Sequence, residues 1–305
     1  MKDGVFLDSI FKYRTVSVEH LGELQEDIDV LLRDGKLSDN ETFRGYIEHM
    51  GFSLPESFID AKSIIVLALF TPLALADFHY NGIRHEIMIP PQYYATGRKM
   101  EQVEKTIHEK IIGESGYRIE LSREVFLKRL AVRSGLGKYG RNNICYVDEM
   151  GSMITLYAFF TDFAFENDDW TETQMLDECD NCTHCLKKCP QGAIREDSFV
   201  IDVAKCVTLY NEIDGEFPEW ILSDTHNALY GCMRCQKKCP GNRESITKTR
   251  RLVDITEEET KALLSGSIED ERILQSVSEK LGCFTPENAK DVLPSLSRNL
   301  RALIT

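Results

Sequence analysis

The chain has 305 residues, 42% hydrophobic and 28% charged, with 36 basic against 50 acidic side chains and a formal charge of −14. This is the composition of an ordinary soluble globular chain with room for two or three packed units, able to bury cores without help from metal. The charge repels phosphate backbones at long range, so nucleic acid is not the expected partner. The longest apolar run, Ser63 to Phe70, is far too short to span a bilayer. The start Met1-Lys2-Asp3-Gly4 has neither signal-peptide regions nor a lipidation cysteine, which points to the cytoplasm.

In chain order, residues 1–60 show apolar residues at helical spacing, among them Leu21, Leu24, Ile28, Leu31, Leu32, Phe43, Tyr46 and Ile47, and predict amphipathic helices covering a sheet. Residues 63–70 form a continuous aliphatic run, β-branched in its first half, and predict a buried strand. Asp77-Phe78-His79-Tyr80-Asn81-Gly82 matches the Asp-x-His-x-x-Gly pattern in which corrinoid proteins ligate cobalt through His. Those proteins also carry a Gly-Gly pair, which is absent from this sequence, so His79 reads as a surface loop residue.

Met100, Val103, Ile107 and Ile111 predict a helix over 99–112. A strand at 117–121 and a helix at 124–133 follow. The helix runs into Ser134-Gly135-Leu136-Gly137-Lys138-Tyr139-Gly140-Arg141-Asn142-Asn143 and then an apolar strand, 144–147. A glycine loop from helix to strand reverses the order a dinucleotide fingerprint needs. The glycines allow close backbone approach to a flat or anionic ligand, or serve only as turn residues at a helix end. Six basic residues between Arg123 and Arg141 (Arg123, Lys128, Arg129, Arg133, Lys138, Arg141) against one acid, Glu124, suggest a local site for a negative group or a solvated helix face. Residues 153–160 pair naturally with 144–148 in a hairpin through 148–152. An acidic connection from Glu166 to Glu178 ends the first domain.

The chemistry is concentrated between Cys179 and Pro240, which hold eight of the ten cysteines: Cys179-x-x-Cys182-x-x-Cys185-x-x-x-Cys189-Pro190, a lone Cys206, then Cys232-x-x-Cys235-x-x-x-Cys239-Pro240. The first run has the spacing of the two-cluster ferredoxin motif, in which the fourth Cys ligates the other cluster. Eight thiolates suit two 4Fe-4S cubanes. One takes Cys179, Cys182, Cys185 and Cys239; the other takes Cys189, Cys232, Cys235 and, displaced upstream, Cys206. Zinc closes with four ligands and has no use for such a run, and a disulfide framework does not suit a long chain without a signal. Past the cysteines, helices are predicted at 257–264, 270–281 and 288–303, with Thr256 and Pro286 near starts and Gly282 near an end. Cys145 and Cys283 read as small buried hydrophobes.

The segment Leu130-Ala131-Val132-Arg133-Ser134-Gly135-Leu136-Gly137-Lys138-Tyr139-Gly140-Arg141-Asn142, then Gly151-Ser152 and the cysteine module, resembles the epoxyqueuosine reductase family and, more distantly, the reductive dehalogenases. Tyr94-Ala95-x-Gly97-Arg98 and Ser297-Arg298-Asn299 are similar to family segments. The resemblance implies an α/β fold: a nitroreductase-like cobalamin-binding domain (1–170), a ferredoxin-like two-cluster module (171–250) and a short helical tail (251–305). It implies electron flow through both clusters to cobalamin, from a donor such as ferredoxin or flavodoxin. The corrin contacts would come from Arg133, Gly135, Leu136, Gly137, Lys138, Gly140, Arg141 and Asn142.

Two departures from the family stand out. Where it carries Val-Asp-Ser-Ala-Pro-Val with a substrate-protonating acid, this chain has Glu120-Leu121-Ser122-Arg123-Glu124-Val125, with Leu121 in the Asp position. Its Tyr-Ala-x-Gly-x-Asp-Tyr-His becomes Tyr94-Ala95-Thr96-Gly97-Arg98-Lys99-Met100-Glu101. A leucine exchanges no proton, and strand alternation turns Glu120 to the opposite face. The candidate proton donors are Tyr94, Glu120, Lys138 and Tyr139. The expectation is a corrinoid-dependent iron–sulfur oxidoreductase whose substrate is not epoxyqueuosine tRNA. The alternatives are an epoxyqueuosine reductase with a substituted acid, or a carrier that hands electrons or corrinoid to a protein partner and lacks a small-molecule substrate.

Overall fold

The computed structural model describes residues 2–6, 9–94, 100–122 and 124–304. In chain order the strands are β1 (Lys2–Phe6), β2 (Ser9–Ser17), β3 (Ser63–Phe70), β4 (Leu73–Tyr80), β5 (Ile83–Ile89), β6 (Ile119–Leu121), β7 (Lys138–Tyr139), β8 (Cys145–Tyr146), β9 (Ile154–Thr161) and β10 (Thr249–Arg251). The α-helices are α1 (Leu21–Arg33), α2 (Glu41–Glu48), α3 (Pro91–Tyr94), α4 (Met100–Thr106), α5 (Leu127–Arg133), α6 (His184–Lys188), α7 (Val207–Glu212), α8 (Glu257–Ser265), α9 (Glu271–Leu281) and α10 (Ala289–Ile304). The fold is mixed α/β, as expected. Its two compact units are not continuous in sequence: one comprises residues 1–70, 99–183 and 194–204, the other 71–98, 184–193 and 205–305. These divisions cut across the boundaries expected near 170 and 250.

The first unit is built on an antiparallel sheet of order β1-β2-β3-β9-β6. Strand β3 is buried along Ser63–Leu69 because both its faces are covered. Ile64, Val66 and Ala68 join Leu21 and Leu24 of α1 and Leu130, Ala131 and Val132 of α5 in one core. On the other face Ile65, Leu67 and Leu69 meet Val103 of α4 and Ile107 and Ile111 of the π-helical turn Ile107–Ile112. The helix expected over 99–112 is thus α4 continued by a π-helical turn, apart from Lys99, which lies outside the described residues.

Two expectations fail in this unit. Residues 9–17 form a strand rather than a helix: Ser-Ile-Phe-Lys-Tyr-Arg-Thr-Val-Ser is rich in β-branched and aromatic residues, and β2 pairs with β3 from Phe11↔Leu69 to Ser17↔Ser63. The helices expected further on appear as α1 and α2. The hairpin expected between 144–148 and 153–160 does not form. A turn closes with Val147 N–H on Gly151 O at 3.0 Å, but β9 then inserts between β3 and β6, where the apolar side chains of both faces are covered, and β8 pairs with β7.

The second unit packs the β10-β4-β5 sheet against the C-terminal helices. Ala74, Ala76 and Phe78 of β4 share a core with Leu263, Val277, Leu281, Leu296 and Leu300, and β10 runs parallel to β4 in the register Thr249↔Leu73. The three C-terminal helices match the expectation in place and length. Thr256 and Glu259 form a capping box at the start of α8, and Gly282 ends α9 in a left-handed conformation at φ 62°. His79 sits in β4 rather than in a loop. Its ring faces Asp254 Oδ2 at 3.0 Å.

Candidate metal centre

In the first unit Cys179 closes the 3₁₀ turn Asp177–Cys179, and Cys182 N–H bonds to Cys179 O at 3.4 Å. The glycine loop grips this turn. Arg141 donates its backbone N–H to Cys179 Sγ at 3.4 Å and its guanidinium to Cys179 O at 2.7 Å and Glu196 O at 2.5 Å. Lys138 Nζ lies 3.3 Å from both Asp177 carboxylate oxygens.

In the second unit α6 carries Cys185, and Cys189 N–H bonds to Cys185 O at 3.0 Å at its end. Cys206 is the extended residue before α7. Burial pushes its thiol up, hydrogen bonds from Thr208 oppose the rise, and the Cys232 and Cys189 sulfurs add to it. Cys189 Sγ accepts from Ala193 N–H at 3.2 Å, and Cys232 Sγ from the side-chain amide of Asn227 at 3.2 Å. Pro240 opens a 3₁₀ turn immediately after Cys239, where its missing N–H costs no intrahelical bond. N–H donors aimed at sulfur suit thiolate ligands of an iron–sulfur cluster, whose negative charge they share. Among the described residues no three His, Cys, Asp or Glu side chains converge as they would on a single ion; a cubane holds its four thiolates on four separate irons.

The other predicted site residues take different roles. The expected anion site is filled from within the chain. Arg129 Nε pairs with Asp27 at 2.8 Å, and Arg133 is buried with Glu23 at 2.8 Å and Glu172 at 3.2 Å, its guanidinium 4.6 Å from the centre of the Trp170 ring. Lys128 Nζ bonds to Asn143 O at 2.9 Å. Every described cation of the stretch therefore has an internal partner, and Arg123 lies outside the described residues.

The glycines also face inward. A Cβ on Gly137 would stand 2.5 Å from Cys145 Sγ and 2.8 Å from Tyr146 O, and one on Gly140 would stand 2.5 Å from Asn142 Oδ1 and 2.6 Å from the Tyr146 ring. Gly135, at φ +67°, ends α5. Leu136 is buried, and Asn142 Nδ2 is held by Tyr146 Oη at 2.9 Å. The N–H groups of Leu136 and Gly137 both bond to Ala131 O at 3.0 Å, and those of Tyr139 and Gly140 to Gln174 O and Ile144 O at 2.8 Å. These N–H groups of the loop are engaged within the chain.

Of the candidate proton donors, Tyr139 is 2% exposed, stacks on Phe199 with centroids 4.8 Å apart, and has its phenol pushed up by burial. It is a core residue. Tyr94 is buried in the second unit with its hydroxyl on Pro72 O, and Ala95, Gly97 and Arg98 beyond it lie outside the described residues. Glu120 pairs in register with Phe160 and accepts from Ser57 Oγ at 2.8 Å, while Leu121 pairs with Phe159. Phe160 lies in the core under α5 and Phe159 in the core under α4, so Glu120 and Leu121 do point to opposite faces. Cys145 is buried and Cys283 half-buried, their thiols both pushed up to about 12 by burial.

The residue reading missed a set of amides around the second run of cysteines. Asn299 Nδ2 bonds to Asn211 O at 2.8 Å and Leu229 O at 2.9 Å, and Asn211 Nδ2 bonds to Gly231 O at 2.7 Å beside Cys232. Arg298 reaches Tyr210 O at 2.6 Å. The available signal was a polar pair, Arg298-Asn299, at core-facing positions of an otherwise apolar helix face.

A model of the 4Fe-4S double cluster binding domain matches residues 178–242. The epoxyqueuosine reductase of Bacillus anthracis is 30% identical over 190 residues, covering 60% of this chain and 49% of that protein. The solved epoxyqueuosine reductase of Bacillus subtilis, with its catalytic aspartate loop swung out of the active site, superposes with a TM-score of 0.65 at 20% identity, over 96% of this chain and 77% of that one. Another epoxyqueuosine reductase, solved with an epoxyqueuosine-modified tRNA-Tyr stem loop, gives 0.63 at 20% identity, over 96% and 76%. Fold and cysteine segment together define an iron–sulfur protein built to hold two 4Fe-4S clusters. The chain is similar to the epoxyqueuosine reductases and spans about half the length of the curated relatives it matches.

Proposed function

We propose that this chain is a cobalamin-dependent iron–sulfur reductase acting on epoxyqueuosine in tRNA, with its two clusters relaying electrons from a ferredoxin or flavodoxin. The observation that carries the reading is the double-cluster segment at 178–242 within a chain 30% identical over 190 residues to an epoxyqueuosine reductase. Cys179, Cys182, Cys185 and Cys239 hold one cluster, and Cys189, Cys206, Cys232 and Cys235 the other. Cobalamin supplies the reductive chemistry in this reading. The residues from Arg133 to Asn142 do not fit it as donors, because their described cations and most of their N–H groups are engaged internally, so no step is assigned to them. Of the candidate proton donors, Glu120 and Lys138 are partly exposed, whereas Tyr94 and Tyr139 are enclosed.

The net charge of −14 weighs against tRNA at long range. Two observations weigh the other way: a relative of this fold was solved with a tRNA stem loop, and Lys187, Lys188, Lys237 and Lys238 stand exposed immediately before the two Cys-Pro pairs. A second reading, a reductase of the same construction with another substrate, is favoured by Leu121, which puts an apolar side chain where the family's acid is expected. Expression in a strain lacking epoxyqueuosine reductase, followed by mass spectrometry of tRNA nucleosides, separates them. Queuosine should appear. Persistent epoxyqueuosine, in a strain that the Bacillus subtilis enzyme restores, would replace the first reading by the second.

A further inference from the structure

From the surroundings of Cys232 we infer that Asn227 is a positioning residue that sets the reduction potential of one cluster through its side-chain amide. Asn227 Nδ2 donates to Cys232 Sγ at 3.2 Å and to Thr225 O at 3.2 Å, while Asn227 Oδ1 accepts from Met233 N–H at 2.9 Å. The Met233 N–H fixes the orientation of the amide: only an oxygen can accept from it, so the NH₂ end faces the sulfur. The loop bearing Asn227 is fastened to the cysteine run itself, since Arg234 Nε donates to Thr225 O at 3.1 Å and its Nη2 reaches Asp224 O. Met233 is fully buried, which anchors the other end.

Such a donor has a directional effect. One-electron reduction adds negative charge to the cluster and its thiolates, and a hydrogen bond to a charged group gains strength as that charge grows. Hydrogen bonds to the sulfurs therefore raise the potential. Cys189 also receives an N–H, from Ala193, but that donor is backbone and survives any substitution. Asn227 is a side-chain lever on the cluster that holds Cys232, beside the Thr208 hydroxyl at Cys206. The inference rests on the ligand set proposed above.

The test is an EPR-monitored reductive titration of the reconstituted protein and of Asn227→Asp, with iron counted in each. Asp retains an acceptor for Met233 and removes the donor. The expected result is full iron content with one cluster harder to reduce by about tenfold, a shift of about 59 mV for a one-electron couple, and the other unmoved. Unchanged potentials at full iron content would overturn the inference. A second measurement needs no substitution: in unaltered protein labelled with ¹⁵N-asparagine, pulsed EPR of the reduced clusters should show coupling to an amide nitrogen. Its absence would overturn the inference even if the variant failed to fold. An unaltered protein with iron for only one cluster would instead sink the ligand set on which the inference depends.

Discussion

Arg141 holds Cys179 at two points, its backbone N–H on the sulfur at 3.4 Å and its guanidinium on the carbonyl at 2.7 Å. The glycine loop is thereby tied to the first cysteine of the cluster segment, and a basic residue that the sequence offered as a cofactor contact clamps the turn that carries a proposed cluster ligand.

Replacing Arg141 by Ala should weaken that clamp by about 1.5–3 kcal/mol, the range for hydrogen bonds from a charged group. The backbone N–H to sulfur survives the substitution. The cluster should therefore assemble but lose iron faster on exposure to a chelator, as followed by visible absorption. Arg141→Lys should rescue only partly, because an ammonium cannot reproduce the fork that spans Cys179 O and Glu196 O.

Cys206 and Cys145 provide a matched contrast. Cys206→Ser should halve the iron content, removing about four of about eight irons, because it deletes one thiolate of a four-thiolate cluster. Cys145→Ser should keep all the iron and cost about 1 kcal/mol in urea unfolding, since its sulfur is buried against Gly137 in the core.

Ala at Gly137 or Gly140 should destabilise by about 1–3 kcal/mol, because the added Cβ would overlap Cys145 and Tyr146, or Asn142 and Tyr146. A ligand-facing role would instead leave stability unchanged and alter only cofactor binding. Urea denaturation of the two variants reads the difference directly.

Glu259 gives a pH signature. Burial would raise its pKa, but Lys280 Nζ at 2.6 Å, Ser276 Oγ at 2.6 Å and Thr256 together hold it down at about 2. A depressed carboxyl contributes stability that is complete above its unfolded value, about 4.5, and is lost as pH falls through about 2. Glu259→Gln should cost about 3 kcal/mol at neutral pH. Its deficit against the unaltered protein should shrink as pH drops below about 4.5, followed by circular dichroism in urea.

Local periodicity made much of this fold legible. The aliphatic run at 63–70 is β3, and Thr256 and Gly282 bound the C-terminal helices as their capping chemistry requires. The misread elements have partners far along the chain. Phe78 of β4 reaches its core mates Leu296 and Leu300 only after more than half the sequence has intervened, so a contiguous domain boundary could not be read locally. The cysteine spacing named the cofactor, since eight thiolates in that pattern suit little else. Cation counting overstated an anion site because Asp27, Glu23 and Glu172, which neutralise Arg129 and Arg133, lie in distant segments. Spacing gave no hint of Asn227, whose role depends on a loop brought onto Cys232 by Arg234.

The most direct test of the account is the metal content of anaerobically purified protein, with iron and zinc counted per chain and the reduced sample examined by EPR. The account predicts about eight irons, no zinc, and two reduced-cluster signals. A colourless, zinc-loaded chain, or one that holds about four irons with several of the eight cysteines free to react with a thiol reagent, would contradict it.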